Sequence, residues 1–262
     1  RGEEKEKALK KLHNLQKEDF LNIFKILNGD EANIRLLDPP VHEFLPKTLE
    51  DKEKMAEILS ISLEAVEKRI YRLKDENPML GHRGCRLGVS YPELYRIQAR
   101  AIIEAAYECA KKGIKVHPEI MIPFIMEAKE LAYLRKEIEE EIESFFKEVG
   151  EKVEYKLGTM IEIPRACLLA NEIAEYADFF SFGTNDLTQM SMGLSRDDSV
   201  KFLDDYREKG IWEGEPFYSI DIKAVTKLVE IGVKNGKSTK HNLQIGVCGE
   251  HGGDPKSIEF FE

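Results

Sequence analysis

The chain has 262 residues, of which 42% are hydrophobic and 34% are charged, and its formal net charge at pH 7 is -10. This composition predicts a folded core, and the acidic balance argues against a nucleic-acid or membrane surface, because phosphate backbones and anionic lipids attract basic patches. The four cysteines form no CxxC pair and no close Cys/His cluster, which argues against a disulfide framework or a zinc site and fits a reducing compartment.

The sequence predicts amphipathic helices that alternate with short apolar strands. Apolar residues repeat at helical spacing up to Leu27, for example, and Asn28-Gly29 follows as a helix stop. In chain order, the predicted elements are a helix over about 5–27, a strand over 33–38, a helical stretch from a Thr48 capping signal to about Lys74, a short strand with a loop over 79–86, a helix through 99–110, a strand over 117–123, a helix through 131–149, a strand over 155–163, a helix from Pro164 to about Tyr176, a strand over 179–185, helical segments around 222–229 and a strand over 243–250.

This alternation predicts a parallel sheet with helices on both faces. A doubly wound sheet and a (β/α)8 barrel both satisfy it. The barrel is favoured because almost every strand candidate ends in a polar or charged residue followed by Gly or Pro, as expected where strand ends build one catalytic face. The stretch 191–216 is the longest irregular segment, and we interpret it as a flap over that face.

Two carboxylates follow neighbouring strand candidates. Glu162 lies in the otherwise apolar run 160–164, where an ionised carboxylate must be paired or bound to a metal, and Asp186 follows the next strand. Oxygen ligands of this kind suit Mg2+, which takes one or two carboxylates and keeps places for water and substrate. The alternatives are a helix cap for Asp186 and a buried ion pair with an arginine for Glu162.

Two arginines are candidates for binding an anion. Arg35 is embedded in an apolar strand, and Arg83 lies between two glycines. A guanidinium matches phosphate and carboxylate with two hydrogen bonds. Arg35 can equally be a structural partner of Asp38 or Glu162, and Arg86 and Lys156 are weaker candidates.

Cys248 lies in a glycine-dense strand end with His251 close behind it. A thiolate there would act as a nucleophile, whereas a thiol with an ordinary pKa is protonated at neutral pH and can act as an acid. The sequence leaves both roles open. His251 is a base or a structural hydrogen-bonding group.

Six long stretches form a collinear set of motifs. They are RLLDPPVHEFLP at 35–46, NPMLGHRGCRLGVSYPE at 77–93, PEIMIP at 118–123, GTMIEIPRA at 158–166, FFSFGTNDLTQM at 179–190 and GVCGEHGGDP at 246–255. Together they resemble the C-terminal phosphoenolpyruvate/pyruvate-binding domain of the pyruvate phosphate dikinase family, more than they resemble phosphoenolpyruvate synthase or sugar-phosphotransferase Enzyme I.

The resemblance implies a TIM barrel of the phosphoenolpyruvate/pyruvate superfamily that occupies 1–262 as one partial domain. It implies that Mg2+ is held by Glu162 and Asp186, and that Cys248 protonates the enolate of pyruvate. The residues that it assigns to the substrate are Arg35, Arg83, Glu162, Gly183, Thr184, Asn185 and Asp186.

The family's first barrel strand, with an RTEHMF-type segment and a third substrate arginine, has no counterpart before Glu3. Its last strand, with a SCSPFR-type segment, has none within the sequence, and neither do the phosphohistidine motif and the nucleotide-binding domain. We therefore expect a part of a larger polypeptide, a barrel with two open sheet edges, and no complete dikinase reaction by this chain alone.

As partners, the resemblance implies phosphoenolpyruvate or pyruvate, a phosphohistidine domain of the same parent chain and a second copy in a homodimer, without nucleic acid or membrane. We expect a cytoplasmic protein, or an organellar one in a eukaryote. Two alternative functions are a Mg2+-dependent aldolase or lyase acting on pyruvate enolate, which has no use for Cys248 as an acid, and a non-catalytic dimerisation module.

Overall fold

A computed structural model describes residues 2–262 and shows an α/β fold around a five-stranded sheet. The strands lie side by side in chain order, and the three pairs formed by the last four strands are parallel. This consecutive order differs from a doubly wound sheet, whose strand order reverses at one point. The strands are β1 (Glu31–Arg35), β2 (His117–Ile122), β3 (Lys156–Ile161), β4 (Phe179–Gly183) and β5 (Gln244–Cys248).

Helices precede, connect and follow the strands, as the alternating sequence pattern predicts. They are α1 (Gly2–Leu27), α2 (Leu49–Leu59), α3 (Leu63–Leu73), α4 (Cys85–Ser90), α5 (Pro92–Lys111), α6 (Ala128–Val149), α7 (Pro164–Leu168), α8 (Ala170–Ala174), α9 (Thr184–Met192), α10 (Arg196–Glu208), α11 (Val225–Thr239) and α12 (Pro255–Phe261). Within residues 2–262, none of these helices combines the length and the apolar character that crossing a lipid bilayer requires.

The capping signal at Thr48 is confirmed, because its side chain accepts a hydrogen bond from the backbone N–H of Asp51 at 3.1 Å. The predicted helical stretch behind it is two helices rather than one. It is interrupted at Ser60, which adopts a left-handed conformation with φ 52°, and α3 then begins after the new N-cap Ser62.

Two predictions of local structure are wrong. The segment 79–86 is not a strand: residues up to Arg83 form turns, and Cys85 begins helix α4. The segment 191–216 is not an irregular flap, because it contains the 13-residue helix α10, whose N-cap Ser195 accepts a hydrogen bond from the N–H of Asp198. Ser195 followed by Asp198 three residues later is a capping signal that is present in the sequence.

The chain divides into two compact units. The first unit comprises residues up to Ala32 together with 36–117 and 137–153, and the second comprises 33–35, 118–136 and 154–262. Within the first unit, α1 packs along α5. Arg100 on α5 donates hydrogen bonds to Glu104 at 2.7 Å and to Glu141 at 3.1 Å, so one guanidinium ties α5 to the second half of α6.

The two faces of the sheet in the second unit differ. One face of β4 presents Phe180 and Phe182 to helix α11, which approaches closely through Gly232 and Gly236. A Cβ at Gly236 would lie 2.6 Å from the Phe180 ring, and one at Gly232 would lie 2.9 Å from the Phe182 ring. Helix α11 therefore covers the face of β4 that carries Phe180 and Phe182, and the polar residues at the strand ends lie on the opposite face.

On that opposite face, the residues at the beginning of the strands are polar and those in the middle of the strands are apolar. At the beginning of the strands, Lys156 donates to Glu119 at 2.8 Å and to Gln244 at 2.6 Å. Next to these polar residues, on the same face, Met121, Met160 and Phe179 form a buried apolar cluster. Lys156 thus lies at the opposite end of β3 from Glu162, which argues against the weak assignment of Lys156 to the site.

Candidate functional site

The candidate site lies in the second unit, at the carboxyl ends of the strands. Strand β4 pairs with β5 in a register that sets Gly183 opposite Cys248. Glu162 follows β3 directly, and the two-residue period of a strand puts it on the same face as Met160, which pairs with Ser181. The predicted residues Glu162, Gly183 and Cys248 therefore share one face of the sheet.

Glu162 is held tightly in this position, with only 1% of its surface exposed. Its Oε1 accepts a hydrogen bond from the backbone N–H of Phe124 at 2.6 Å. Phe124 is buried and has φ 66°, a left-handed conformation that is strained for a non-glycine residue, and it follows directly after strand β2 and Pro123. On the other side, a Cβ at Gly183 would come within 2.5 Å of Glu162 Oε2, so only glycine fits beside the carboxylate.

Asp186 lies on helix α9, not at the end of a strand. Strand β4 ends at Gly183, so Thr184, Asn185 and Asp186 form the first turn of α9, which corrects the predicted strand over 179–185. Asp186 is buried, and its Oδ1 accepts a hydrogen bond from Gln189 Nε2 at 3.1 Å. An acidic group in the first turn of a helix is stabilised by the positive end of the helix dipole.

Thr184 and His251 connect helix α9 to the glycine-rich segment after β5. His251 Nε2 lies 3.0 Å from the carbonyl oxygen of Pro216, which can only accept, so Nε2 carries the proton. Nδ1 then accepts from the Thr184 hydroxyl at 2.7 Å. Burial lowers the pKa of His251, which is consistent with this neutral ring. Both ring nitrogens are bonded to the protein, so His251 is the structural group of the two alternatives.

Cys248 is half-buried against the apolar cluster, and its Sγ lies 3.5 Å from the Phe182 carbonyl oxygen. Burial raises the pKa of this thiol; a hydrogen bond with Ser181 and the charge of Arg35 oppose the shift, while the charges of Glu162 and Asp186 add to it. The thiol is therefore protonated near neutral pH. This protonation state favours the acid over the nucleophile among the two roles that the sequence leaves open.

Three other predicted residues lie near enough to the Cys248 thiol to affect its pKa. Arg35, the last residue of β1, and the carboxylates of Glu162 and Asp186 all act on the Cys248 thiol. Asn185 lies between Thr184 and Asp186, and its Oδ1 accepts a hydrogen bond from Arg196 at 3.3 Å.

Arg83 lies in the first unit and is held by Asp38. Its Nε and Nη2 donate to the two carboxylate oxygens of Asp38 at 3.1 and 2.6 Å, and both side chains are buried. Arg83 Nη1 also donates to the carbonyl of Met79 at 3.3 Å. This two-pronged pair fixes the plane of the guanidinium. Arg86, on helix α4, donates to the carbonyls of Leu80 and Gly81, which gives it a structural role.

The donor set of the second unit fits a hard divalent cation. Glu162 and Asp186 are buried carboxylates with hydrogen-bond donors already on Glu162 Oε1 and Asp186 Oδ1. Residues 2–262 contain no cluster of three or more His, Cys, Asp and Glu side chains arranged for a metal. Mg2+ does not need one, since it commonly takes one or two carboxylates and fills its remaining places with water and substrate oxygens.

Gln189, Asp38 and Phe124 contribute to these arrangements and were not among the predicted site residues. Gln189 follows Asp186 by three residues on a helix, a spacing at which side chains are neighbours, so the sequence did contain this signal. Asp38 is separated from Arg83 by 45 residues, and the donor of Phe124 is a backbone N–H. Neither has a local sequence signal.

Comparison with known proteins gives relatives of high similarity. The chain is 51% identical over 256 residues to a protein of Rhizobium meliloti (strain 1021) named pyruvate, phosphate dikinase, covering 97% of this chain and 28% of that protein. A pyruvate, phosphate dikinase of Clostridium symbiosum is 50% identical over 98% of this chain and 30% of its own length. The chloroplastic one of Mesembryanthemum crystallinum is 49% identical, with 99% and 28% covered.

The chain thus spans less than a third of the length of these curated relatives. A family model described as "PEP-utilising enzyme, PEP-binding domain" matches residues 2–262. PEP is phosphoenolpyruvate, the ligand implied by the motif resemblance. The chain belongs to the family of PEP-utilising enzymes, to whose PEP-binding domain it corresponds over residues 2–262.

Proposed function

We propose that this chain carries the phosphoenolpyruvate/pyruvate half-reaction of a pyruvate phosphate dikinase, which interconverts ATP, pyruvate and phosphate with AMP, phosphoenolpyruvate and diphosphate. The observation that carries the proposal is the position of the Cys248 thiol at the carboxyl end of β5, opposite Gly183, where the charges of Glu162, Asp186 and Arg35 act on it. An acid at this place suits the protonation of an enolate carbon. An aldolase or lyase would have no role for it.

The chain's residues act as follows. Arg35 binds the anionic substrate, and the backbone and side chains of the first turn of α9, residues 184–186, orient it. When the phosphoryl group leaves phosphoenolpyruvate for a histidine on another domain, the P–O bond breaks and its electrons remain on the enolate oxygen. The methylene carbon of the enolate then takes the proton from Cys248 Sγ, which yields pyruvate.

Glu162 and Asp186 would hold Mg2+, which supplies positive charge to the developing enolate and to the phosphoryl oxygens when it is bound. Glu162 contributes a carboxylate whose orientation is fixed by the Phe124 N–H. The glycine at 183 leaves room beside it. The assignment of Arg83 to the substrate stays a prediction of the motif resemblance.

The wider setting is part of the proposal. The consecutive order of the parallel strands supports a (β/α)8 barrel. The proposed partners are a phosphohistidine domain of the same polypeptide and a second copy of the chain in a homodimer, and the proposed compartment is the cytoplasm or an organelle. The exposed edge strand β5, whose pattern of exposure contrasts with the fully buried β4, is consistent with further pairing.

The test is the exchange of the pyruvate methyl protons with D2O, followed by proton NMR with the full chain and Mg2+. The wild-type chain should catalyse exchange, because Cys248 in its thiolate form removes a methyl proton, the resulting thiol exchanges that proton with D2O, and Cys248 then returns a deuteron to the same carbon. Cys248→Ala should lose it. Cys109→Ala is the matched control, because Cys109 is a buried cysteine of α5, in the first unit, whose Sγ donates a hydrogen bond to the Leu21 carbonyl.

Exchange that persists in Cys248→Ala would contradict the acid role of the thiol. The absence of exchange in the wild-type chain would contradict the proposed half-reaction for this chain. Cleavage or formation of a carbon–carbon bond in a 2-keto acid, with Cys248→Ala as active as wild type, would support the aldolase or lyase instead.

A further inference from the structure

We propose that Gln189 is a positioning residue that holds the Asp186 carboxylate in the orientation required to bind a divalent cation. The inference rests on the proposed function, in which Asp186 is one of two carboxylate ligands. It adds a residue that touches neither cation nor substrate and acts only through Asp186.

The first observation is the contact itself. Gln189 and Asp186 are three residues apart on helix α9, which puts their side chains on one face of the helix. Both are 7% exposed, and Gln189 Nε2 donates to Asp186 Oδ1 at 3.1 Å. A buried hydrogen bond of this kind has little competition from water, so it restricts the rotation of the carboxylate.

The second observation fixes which end of the Gln189 amide faces the carboxylate. Gln189 Oε1 accepts a hydrogen bond from the backbone N–H of Arg196 at 2.8 Å. If the amide were turned over, its NH2 group would face the N–H of Arg196 and its oxygen would face Asp186, so both contacts would become repulsive. The Arg196 N–H therefore forces the donor end of the amide toward Asp186.

The anchor for this amide is the beginning of another helix. The chain leaves α9 through Gly193, which has φ 63°, and α10 begins after the N-cap Ser195. Arg196 is the first residue of α10, and its N–H is one of the first N–H groups of that helix, which have no partner inside it. Gln189 satisfies this group, so the position of its amide depends on two helices rather than on one flexible side chain.

The charge of the donor is the third argument. A lysine or arginine beside Asp186 would neutralise the carboxylate and compete with a cation. The amide of Gln189 is neutral, so it orients the carboxylate and leaves its negative charge available. Metal-binding carboxylates commonly need such an outer hydrogen bond, and its removal typically lowers metal affinity about 10- to 100-fold.

The side chain of Arg196 also contacts the first turn of α9. Its Nη1 donates to Asn185 Oδ1 at 3.3 Å and pairs with Glu250 at 2.7 Å, and the pKa of Glu250 is lowered by this pair. The backbone of Arg196 thus positions Asp186 through Gln189, and its guanidinium contacts the neighbouring Asn185.

The experiment measures the affinity of the metal-free full chain for Mg2+ by titration calorimetry, with Mn2+ and its electron paramagnetic resonance signal as a second readout. Gln189→Met keeps the length and helix preference of the side chain and removes the donor. We expect its affinity for Mg2+ to fall about tenfold or more. Ser191→Ala is the matched control on α9, since the Ser191 hydroxyl bonds only to the Leu187 carbonyl of the same helix among its described partners.

Urea unfolding without metal gives the stability of each variant separately, because a purely structural role would lower stability and leave the affinity of the folded protein unchanged. If Gln189→Met does not fold, Gln189→Asn replaces it: its amide is one methylene too short to reach Asp186, and the same loss is expected. Equal affinity for Mg2+ in folded variants and wild type overturns the inference and leaves the proposed function standing. A wild-type chain that does not bind Mg2+ overturns the metal site of the proposed function itself.

Discussion

Replacing Gly183 by alanine tests how tightly the strand ends are built around Glu162. A Cβ at this position would lie 2.5 Å from Glu162 Oε2 and 2.7 Å from the Met160 methyl group. The backbone is not the obstacle, because Gly183 has φ -83°, which alanine adopts freely. Glu162 cannot easily move aside, since its Oε1 is bonded to the Phe124 N–H. We expect an overpacking cost of about 1–3 kcal/mol in the free energy of unfolding.

The matched control is Gly246→Ala, on the neighbouring strand and the same face. Its Cβ would have only the Phe180 carbonyl oxygen nearby, at 3.9 Å. With space available, the reduced flexibility of the unfolded chain should make this variant neutral or more stable by up to about 1 kcal/mol. Urea unfolding of both variants gives the difference. If Gly183→Ala is as stable as Gly246→Ala, the reasoning about the packed carboxylate is wrong.

Two further predictions concern buried charged or titratable groups. Asp38→Ala leaves the buried Arg83 guanidinium without the Asp38 carboxylate, so we expect the free energy of unfolding in chemical denaturation to fall by about 3–5 kcal/mol. The double variant Asp38→Ala/Arg83→Met should lose less stability than Asp38→Ala alone. Additive losses would contradict the pairing. Burial lowers the pKa of His251 from its ordinary value of 6.5, so the contribution of the neutral ring to folding stability is complete above pH 6.5 and is lost as pH falls through the folded-state pKa. The difference in unfolding free energy between wild type and His251→Gln should therefore be smaller at pH 5.5 than at pH 7.5. A difference that does not change with pH would contradict this prediction.

The sheet was predictable from sequence because its strands are short apolar runs between helices of clear periodicity. Five of the six predicted strands exist, and each of their boundaries lies within three residues of the predicted one. The ends of the strands are harder to predict. At β4, no helix start signal separates Gly183 from Thr184, yet the strand ends at Gly183 and helix α9 begins at Thr184. Composition alone does not mark that change.

The error at 79–86 arises because partners outside the segment decide its local structure. The segment 79–86 forms turns because the N–H of His82 bonds to the Asp75 carboxylate and the N–H of Gly84 bonds to the Asp38 carbonyl. The buried Asp38–Arg83 pair completes this arrangement. The residues of the segment itself contain none of this information, and Asp38 lies 45 residues from Arg83.

For the candidate site, the sequence indicates candidate chemical groups more readily than it indicates the groups that hold them in place. Glu162 and Cys248 were predicted from their unusual settings, a charge in an apolar strand and a thiol among glycines. The groups bonded to the carboxylates of Glu162 and Asp186 are the Phe124 N–H, which has no local sequence signal, and the Gln189 amide, whose signal is its spacing of three residues from Asp186.

The consecutive order of the strands has a consequence for how the site can assemble. Paired residues are 21 positions apart between β3 and β4 (Thr159 with Phe180) and 65 apart between β4 and β5 (Phe180 with Ile245). The entropy of loop closure makes the longer connection costlier by about 1 kcal/mol. The segment from β3 through the first turn of α9, which carries Glu162 and Asp186, also precedes β5 in the chain. During synthesis, β3 and β4 can pair before β5, which carries the Cys248 thiol, has left the ribosome.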